Sequence, residues 1–237
     1  MEINFLKKKL RGLHEGSISE EEALEAVANS TPKEISKAEQ ELLEEGMREP
    51  ELKEFCKIHL KAIEEKVKDL KEGLPENHTL RILIEEHEKI TQFLDELERL
   101  SELLEDEGFS PQRKRKLRAL AENLVESENH HEREEEVIFP RLKKLGIDGP
   151  PRIMEKDHEQ FWPKKKRLKE LSEEPEENLN EILEIVDFLV FNLRDHIFKE
   201  NNILYPTALD ELEEWDLIQQ EGKKIGYCQF VPLSEID

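Results

Sequence analysis

The chain has 237 residues, of which 36% are hydrophobic and 40% are charged, and its formal net charge is −22. A surface this negative repels phosphate backbones, which argues against nucleic acid as a partner. No apolar run approaches the roughly 20 residues needed to cross a bilayer, and the first residues lack the apolar core of a signal peptide, so we expect a cytoplasmic protein without membrane contact.

Helical periodicity and cap residues predict an all-α chain that begins with a small helical domain over residues 1–72. Its helices are expected near 3–14, 19–29, 32–45 and 50–71. The sequence Gly73-Leu74-Pro75 breaks the helical pattern. We therefore expect a domain boundary there.

Four longer helices are predicted next, and their matched lengths favour an up-down four-helix bundle over residues 73–222. They are expected near 77–106, 110–145, 150–172 and 175–205. An amphipathic stretch at 207–222 closes the bundle domain. Residues 223–237 then form a C-terminal tail, in which 225–232 have a strand-like composition.

Two segments of the bundle repeat one pattern of side chains that bind metals. The repeats are His130-x-x-x-Glu134, which leads to Pro140, and His196-x-x-x-Glu200, which leads to Pro206. A spacing of four places both side chains on one face of a helix. One further histidine precedes each copy, His87 before the first and His158 before the second. Four imidazoles and two carboxylates form a ligand set for two transition-metal ions inside a bundle.

A carboxylate occupies a core position in the fourth bundle helix. The apolar seam through Leu189 and Leu193 continues with His196 and Glu200 before it resumes at Ile203. Burying an unpaired carboxylate costs several kcal/mol, so Glu200 needs a cation or a strong hydrogen-bonding partner. A single histidine in a core is more often satisfied by a neighbouring residue, but the joint pattern favours a metal site. Since Cys56 and Cys228 are the only cysteines and lie far apart, nitrogen and oxygen would hold the metal.

The second bundle helix permits two ligand frames. The pair His130/Glu134 continues the repeat, whereas the pair His131/Glu135 fits slightly better the apolar phase of the preceding residues. We follow the repeat, because proline interrupts the helical hydrogen bonds and a local bulge can shift the helical phase by one residue. His131 and Glu135 remain the alternative.

Several acidic residues next to the predicted ligands could accept hydrogen bonds from the outward imidazole nitrogens. They are Glu86, Glu126, Asp157 and Glu159. Such contacts would orient the rings and lower the positive charge of a metal centre.

Residues 77–206 resemble the hemerythrin-like family, also called the HHE cation-binding domain, whose order of His, His-x-x-x-Glu, His, His-x-x-x-Glu is matched in full. The resemblance implies a non-haem di-iron centre, with Glu134 and Glu200 bridging two iron ions and the four histidines as terminal ligands. An oxo or hydroxo bridge is expected to offset the remaining positive charge. Nitrogen and oxygen also bind manganese and zinc, so the choice of iron rests on the resemblance.

The chain departs from the oxygen-carrying members of that family, whose third helix has a second histidine one turn after the first. Trp162 stands there, so one iron should have fewer nitrogen ligands and an open position for a small gas. The resemblance therefore implies binding or sensing of O2, NO or redox state rather than enzymatic catalysis. Trp162 and its neighbour Phe161 are candidates to wall the pocket, although aromatic residues at this spacing more often serve packing.

Two other functions remain open. The segments that end at Pro140 and Pro206, with Glu126 one turn before His130, are similar to di-iron proteins that repair iron–sulfur clusters, and reduction of NO or peroxide belongs to the same alternative. Those repair proteins carry an N-terminal Cys-Cys pair that is absent here. The third alternative is a structural bundle in which the His/Glu network is hydrogen-bonded without metal.

Residues 1–72, notably 39–46 and Cys56-x-x-His59, look like an uncharacterised helical domain often found ahead of hemerythrin and PAS sensor domains. This resemblance implies that a signalling partner docks on the N-terminal domain. Cys56 and His59 lie on one helical face, which favours a core role over metal ligation.

Overall fold

The computed structural model describes residues 3–14, 16–19, 22, 23, 26, 30, 38, 41, 42, 45, 47 and 67–231. The chain divides into two compact units, Met1–Glu72 and Gly73–Asp237. In the first unit, helix α1 spans Ile3–His14 and buries Leu6 and Leu10 in a small apolar core. The helices predicted at 19–29, 32–45 and 50–71 lie largely outside the described residues, and Cys56-x-x-His59 lies outside them entirely.

The second unit is built from helices joined by short connections, and the described part of the chain contains no β-strand, which confirms the all-α prediction. In chain order its helices are α2 (Thr79–Glu107), α3 (Pro111–Glu126), α4 (Glu128–Arg133), α5 (Phe139–Lys144), α6 (Gly149–Leu171), α7 (Leu179–Lys199), α8 (Tyr205–Glu211) and α9 (Trp215–Ile225). A 3-10 turn at Pro175–Glu177 precedes α7.

Helices α2, α3, α6 and α7 form a ring in which each packs against two others, α2 with α3, α3 with α6, α6 with α7 and α7 with α2. Short connections between consecutive helices make this an up-down four-helix bundle. The interior is apolar along much of its length, with fully buried leucines such as Leu94, Leu120, Leu168 and Leu189 from the four helices. Burial of each such side chain contributes about 1.5–3 kcal/mol.

Two caps define where the first pair of bundle helices begins. His78 Nδ1 accepts the Leu80 backbone N–H at 3.2 Å before α2. Ser110 Oγ accepts the Arg113 backbone N–H at 3.2 Å before α3, where Pro111 is the first residue. Each cap satisfies one of the backbone donors that a helix start leaves without a partner.

The second bundle helix, expected to be continuous over 110–145, is interrupted at Ser127 and again by a π-helical turn at Glu134–Ile138. A matching π-helical turn at Glu200–Leu204 follows α7. The backbone N–H of Phe139 donates to Glu134 O and that of Tyr205 to Glu200 O, which widens each turn by one residue. Pro140 and Pro206 follow these turns and have no N–H with which to continue the regular α-helical pattern.

The stretch predicted at 207–222 is not one helix. Helix α8 ends at Glu211, and α9 starts at Trp215 and packs against α2, α4 and the first π-helical turn. Residues 226–231 do not form the strand that their composition suggests. Among the described helices, none combines the length and the apolarity that crossing a membrane requires.

Candidate metal centre

The structure brings the predicted ligand residues into one cluster inside the bundle. The α2, α6 and α7 helices contribute a histidine each, α4 contributes the fourth, and each glutamate is the first residue of a π-helical turn. The cluster consists of His87, His130, Glu134, His158, His196 and Glu200, and none of these residues is more than 3% exposed.

Glu200 lies between two groups of imidazoles. Its two groups of potential ligands are His87, His130 and Glu200 on one side and Glu134, His158, His196 and Glu200 on the other, with ligand atoms within 4.8 Å of one another in each group. A third group meets the same criterion without Glu200 and consists of His131, His158 and His196. Glu200 Oε2 lies 3.0 Å from His87 Nε2, and Glu200 Oε1 lies 2.9 Å from His196 Nε2. The two oxygens of this carboxylate thus face different groups, as in a bridging ligand.

Glu134 also spans both groups. Its Oε2 atom lies 3.6 Å from His130 Nε2 and 3.7 Å from His158 Nε2. Its Oε1 atom accepts a hydrogen bond of 2.7 Å from the Tyr205 hydroxyl. Tyr205 therefore holds one carboxylate oxygen and leaves the other directed at the histidines.

Each imidazole of the cluster has an oxygen beside its outer nitrogen, Nδ1. These contacts are His87 with Asn201 Oδ1 at 2.8 Å, His130 with Glu86 Oε2 at 2.8 Å, His158 with Glu135 Oε1 at 2.7 Å, and His196 with Asp157 Oδ2 at 3.4 Å. Carboxylate and amide oxygens only accept, so Nδ1 carries the hydrogen and the Nε2 lone pair is directed inward. This arrangement prepares each ring to bind a cation.

The inward atoms form a set of acceptors without enough donors. His158 Nε2 and His196 Nε2 face each other at 2.9 Å. Glu134 Oε2 and both Glu200 oxygens have no partner in hydrogen-bonding geometry, although imidazole nitrogens lie close to them. Lone pairs and carboxylates that converge in a buried volume repel one another unless positive charge lies between them. The donor set therefore fits a pair of transition-metal ions with nitrogen and oxygen ligands.

Burial perturbs the acid–base equilibria of the cluster. Burial and the Glu200 carboxylate raise the pKa of Glu134 well above its ordinary value. Burial also opposes ionisation of Glu200, but the His196, His158 and His87 rings together outweigh it and lower the pKa of Glu200. The pKa of His196 is raised, because Glu200 and Asp157 overcome the effect of burial. Burial, with the neighbouring His87 ring, lowers the pKa of His130 to about 3.

The two ligand frames of the second bundle helix have different environments. Glu134 is fully buried in the cluster, whereas the Glu135 side chain is 41% exposed and contacts only the outer side of His158. His131 is buried, and its ring stacks on that of His158 with centroids 3.9 Å apart and planes 8° from parallel. A ring nitrogen of His131 nevertheless lies within 4.8 Å of one nitrogen each of His158 and His196, so His131 is a further potential ligand. The carboxylate that faces the cluster is that of Glu134, which belongs to the His130/Glu134 frame.

The aromatic residues after His158 divide their roles. Phe161 is buried and packs edge-on against the His196 ring with centroids 5.1 Å apart. Trp162 is 37% exposed, and Lys166 Nζ lies 5.2 Å from its ring centroid at the surface. Of the two candidates to wall the pocket, Phe161 therefore does so, whereas Trp162 is turned toward solvent because the helix rotates it away from the cluster.

Of the acidic residues expected to orient the rings, Glu86 and Asp157 do contact imidazole nitrogens. Glu159 is exposed, and Glu126 instead accepts the backbone N–H of Gln229 at 3.2 Å. Tyr205 was not recognised from the sequence as a functional residue. The sequence did contain a signal for Tyr205. It occupies the position of the second repeat that corresponds to Phe139 in the first, so a hydroxyl is added at that position.

Residues 78–208 match the Hemerythrin HHE cation binding domain, which covers more than half of the chain. Residues 6–69 match a family of unknown function, DUF438. Both matches confirm the resemblances inferred from the sequence. No curated protein matches the chain.

Proposed function

Since the chain belongs to the hemerythrin HHE cation-binding family, we propose that its buried cluster holds a non-haem di-iron centre that binds or senses O2, NO or redox state. Four histidines and two glutamates would hold the ions, the glutamates from positions between the imidazoles. The ligands are His87, His130, Glu134, His158, His196 and Glu200.

The observation that carries this proposal is the convergence of acceptors. Four Nε2 atoms point into one buried volume together with three carboxylate oxygens that have no hydrogen-bonding partner. The Tyr205 hydroxyl, which donates to Glu134, also lies 3.4 and 3.2 Å from the Nε2 atoms of His87 and His130. A metal-free structural network would instead pair such oxygens with donors, because an unpaired buried carboxylate oxygen costs about 1–3 kcal/mol or more. Glu200 belongs to two of the groups of potential ligands, which is the position expected of a carboxylate that two ions would share.

Burial of the cluster supports a very small ligand. Since its residues are at most 3% exposed, a diatomic gas is the kind of molecule that fits without rearrangement of the bundle. A di-iron pair supplies an open coordination position and electrons for O2 or NO. The chain itself supplies the apolar shield of Phe161 and Phe139, which lie close to His196 and His158, and the outer oxygens that hold the rings in place.

The first test is the metal content and gas response of the protein loaded with iron under anaerobic conditions. We expect about two irons per chain, and a change in the visible absorption spectrum when O2 or NO is added. Glu200→Gln should lower the iron content, whereas Glu136→Gln, at an exposed position of the first π-helical turn, should not. A wild-type chain that takes up no iron would exclude the proposal.

The response to gas separates sensing from reduction or repair. A spectral change that reverses when the gas is removed, without its consumption, supports sensing. Sustained consumption of NO or peroxide, or restoration of a damaged iron–sulfur cluster, would instead support the enzymatic alternative. For residues 1–72 we propose docking of a signalling partner, which a binding assay with this domain present and deleted would test.

A further inference from the structure

The residues that follow α9 are held against the bundle near the metal centre. This C-terminal segment, residues 226–231, leaves the helix at Gly226, whose φ of 107° lies in the left-handed region. Cys228 and Val231 are buried, and Phe230 packs edge-on against Phe93 with ring centroids 5.1 Å apart. Residues 226–231 form neither helix nor strand, and such an irregular segment can open locally without unfolding the bundle.

One carboxylate connects this segment to a proposed metal ligand. Glu86 Oε1 accepts the backbone N–H of Cys228 at 3.0 Å. Glu86 Oε2 accepts from His130 Nδ1 at 2.8 Å and also pairs with the guanidinium of Arg133. The Arg133 guanidinium in turn lies over the ring of Tyr227, 4.9 Å from its centroid. A single hydrogen-bonded side chain thus separates His130 from the segment.

Glu86 is built to act as this connection. It is fully buried, so neither oxygen can exchange a protein partner for bulk water while the segment is docked. Cys228 lies 142 residues from Glu86 in sequence, and His130 lies 44 residues from it, so the carboxylate joins parts of the chain that are otherwise distant. Any shift of the His130 ring moves the acceptor that holds the Cys228 backbone.

We propose that the C-terminal segment reports the occupancy of the metal centre, with Glu86 as the positioning residue that couples the two. This inference rests on the proposed function. A cation on His130 Nε2 withdraws electron density from the ring, which makes Nδ1–H a stronger donor and fixes Glu86 in the position that binds Cys228. Metal binding therefore holds the segment down, and by reciprocity the docked segment strengthens metal binding.

The buried thiol of Cys228 provides a direct measurement of docking. It is 1% exposed, and burial raises its pKa, so it can react with iodoacetamide only when the segment opens. Cys56→Ser leaves Cys228 as the only cysteine of the chain. In this background we expect alkylation to be roughly five- to tenfold slower in the anaerobic iron-loaded protein than in the metal-free protein, a coupling in the range usual for linked sites.

Two glutamate variants separate coupling from simple docking. Glu86→Gln should bring the ratio of the two alkylation rates close to one, because it removes the charged link to His130. Glu126→Gln is the matched control, since Glu126 accepts the Gln229 N–H but contacts none of the proposed ligands. It should speed alkylation in both states and leave the ratio unchanged.

The outcomes distinguish this inference from the proposal on which it rests. If wild-type Cys228 reacts equally fast with and without two bound irons, the coupling is wrong and the di-iron centre stands. If no iron binds, both are wrong. Should Glu86→Gln fail to fold, protein alkylated at Cys228 in the metal-free state takes its place in the test. Its iron affinity, measured by competition with a chelator, must fall by the same factor, and an unchanged affinity would overturn the coupling.

Discussion

Replacing Glu134 by glutamine should stabilise the metal-free protein while weakening its metal site. The change preserves the shape of the side chain and the oxygen that accepts from the Tyr205 hydroxyl at 2.7 Å. It replaces Oε2, which has no hydrogen-bonding partner, by an amide nitrogen. That nitrogen can donate to an imidazole lone pair, since His130 Nε2 and His158 Nε2 lie 3.6 and 3.7 Å from the position.

The expected size of the effect follows from the unpaired oxygen. Because burial and Glu200 raise the pKa of Glu134, the folded wild-type chain must at neutral pH either bury a charge or take up a proton. Glutamine is neutral and can donate, so it removes this cost, which we set at that of one unsatisfied buried group, about 1–3 kcal/mol. For a protein of this size each kcal/mol corresponds to about 2–4 °C, so the midpoint of thermal unfolding should rise by roughly 2–12 °C in the metal-free state. With iron present the wild-type protein should be the more stable of the two. At a metal concentration a thousand times the Kd, binding adds about 4 kcal/mol to the free energy of unfolding of the wild type, and it adds less to that of the variant, whose site is weaker.

Thermal unfolding followed by circular dichroism, in metal-free and in anaerobic iron-loaded samples, tests this prediction. Glu136→Gln makes the same substitution at an exposed position. It should change the free energy of unfolding by no more than about 0.5 kcal/mol in either the metal-free or the iron-loaded sample. A metal-free Glu134→Gln protein that is less stable than wild type would show that the carboxylate belongs to a satisfied structural network. The metal-site argument would then fail.

Three further predictions concern the surroundings of the centre. Burial opposes ionisation of Glu86, but His130 and its other partners lower its pKa from 4.5 to about 2. The ionised carboxylate contributes about 3 kcal/mol to the free energy of unfolding, and this contribution is complete above pH 4.5 and is lost as the pH falls toward 2. The stability of Glu86→Gln should therefore fall less than that of the wild type over this pH range. An equal loss of stability in both proteins would contradict the lowered pKa of Glu86. Glu135→Ala removes the outer partner of His158 and should weaken iron binding about 10–100-fold in a chelator competition, whereas an affinity equal to wild type would show that Glu135 does not orient the ring. Gly222→Ala, in α9, places a methyl group 3.7 Å from the Arg133 Cδ atom, which is an ordinary contact. It should raise the free energy of unfolding by about 0.5–1 kcal/mol in urea titration, and destabilisation would indicate crowding.

Much of the bundle was predictable because its signals are local. Ser110 and Pro111 mark the start of α3 through a cap that involves residues three positions apart. The helical period of apolar residues predicted the four bundle helices. The interruptions at Ser127 and at the two π-helical turns were not placed by that period, because one widened turn changes hydrogen bonding without changing which residues are apolar.

The surroundings of the candidate site were predictable only in part. Asp157 and Glu86 were expected near the histidines because they precede His158 and His87 in sequence. Trp162 was expected to be a candidate wall, yet it turns outward, since a single step along a helix rotates a side chain by about 100°. Sequence distance alone does not specify that rotation relative to the neighbouring helices.

The sequence by itself determined which side chains could bind a metal together, because a four-residue spacing places histidine and glutamate on one face of a helix wherever that helix packs. Only the tertiary structure decided which atoms meet: that Glu200 faces both groups of imidazoles, that Tyr205 holds Glu134, and that Glu86 joins His130 to Cys228. Such contacts depend on how helices pack and where irregular segments dock. Each of these contacts joins residues that are far apart in the sequence, so no local sequence pattern predicts it.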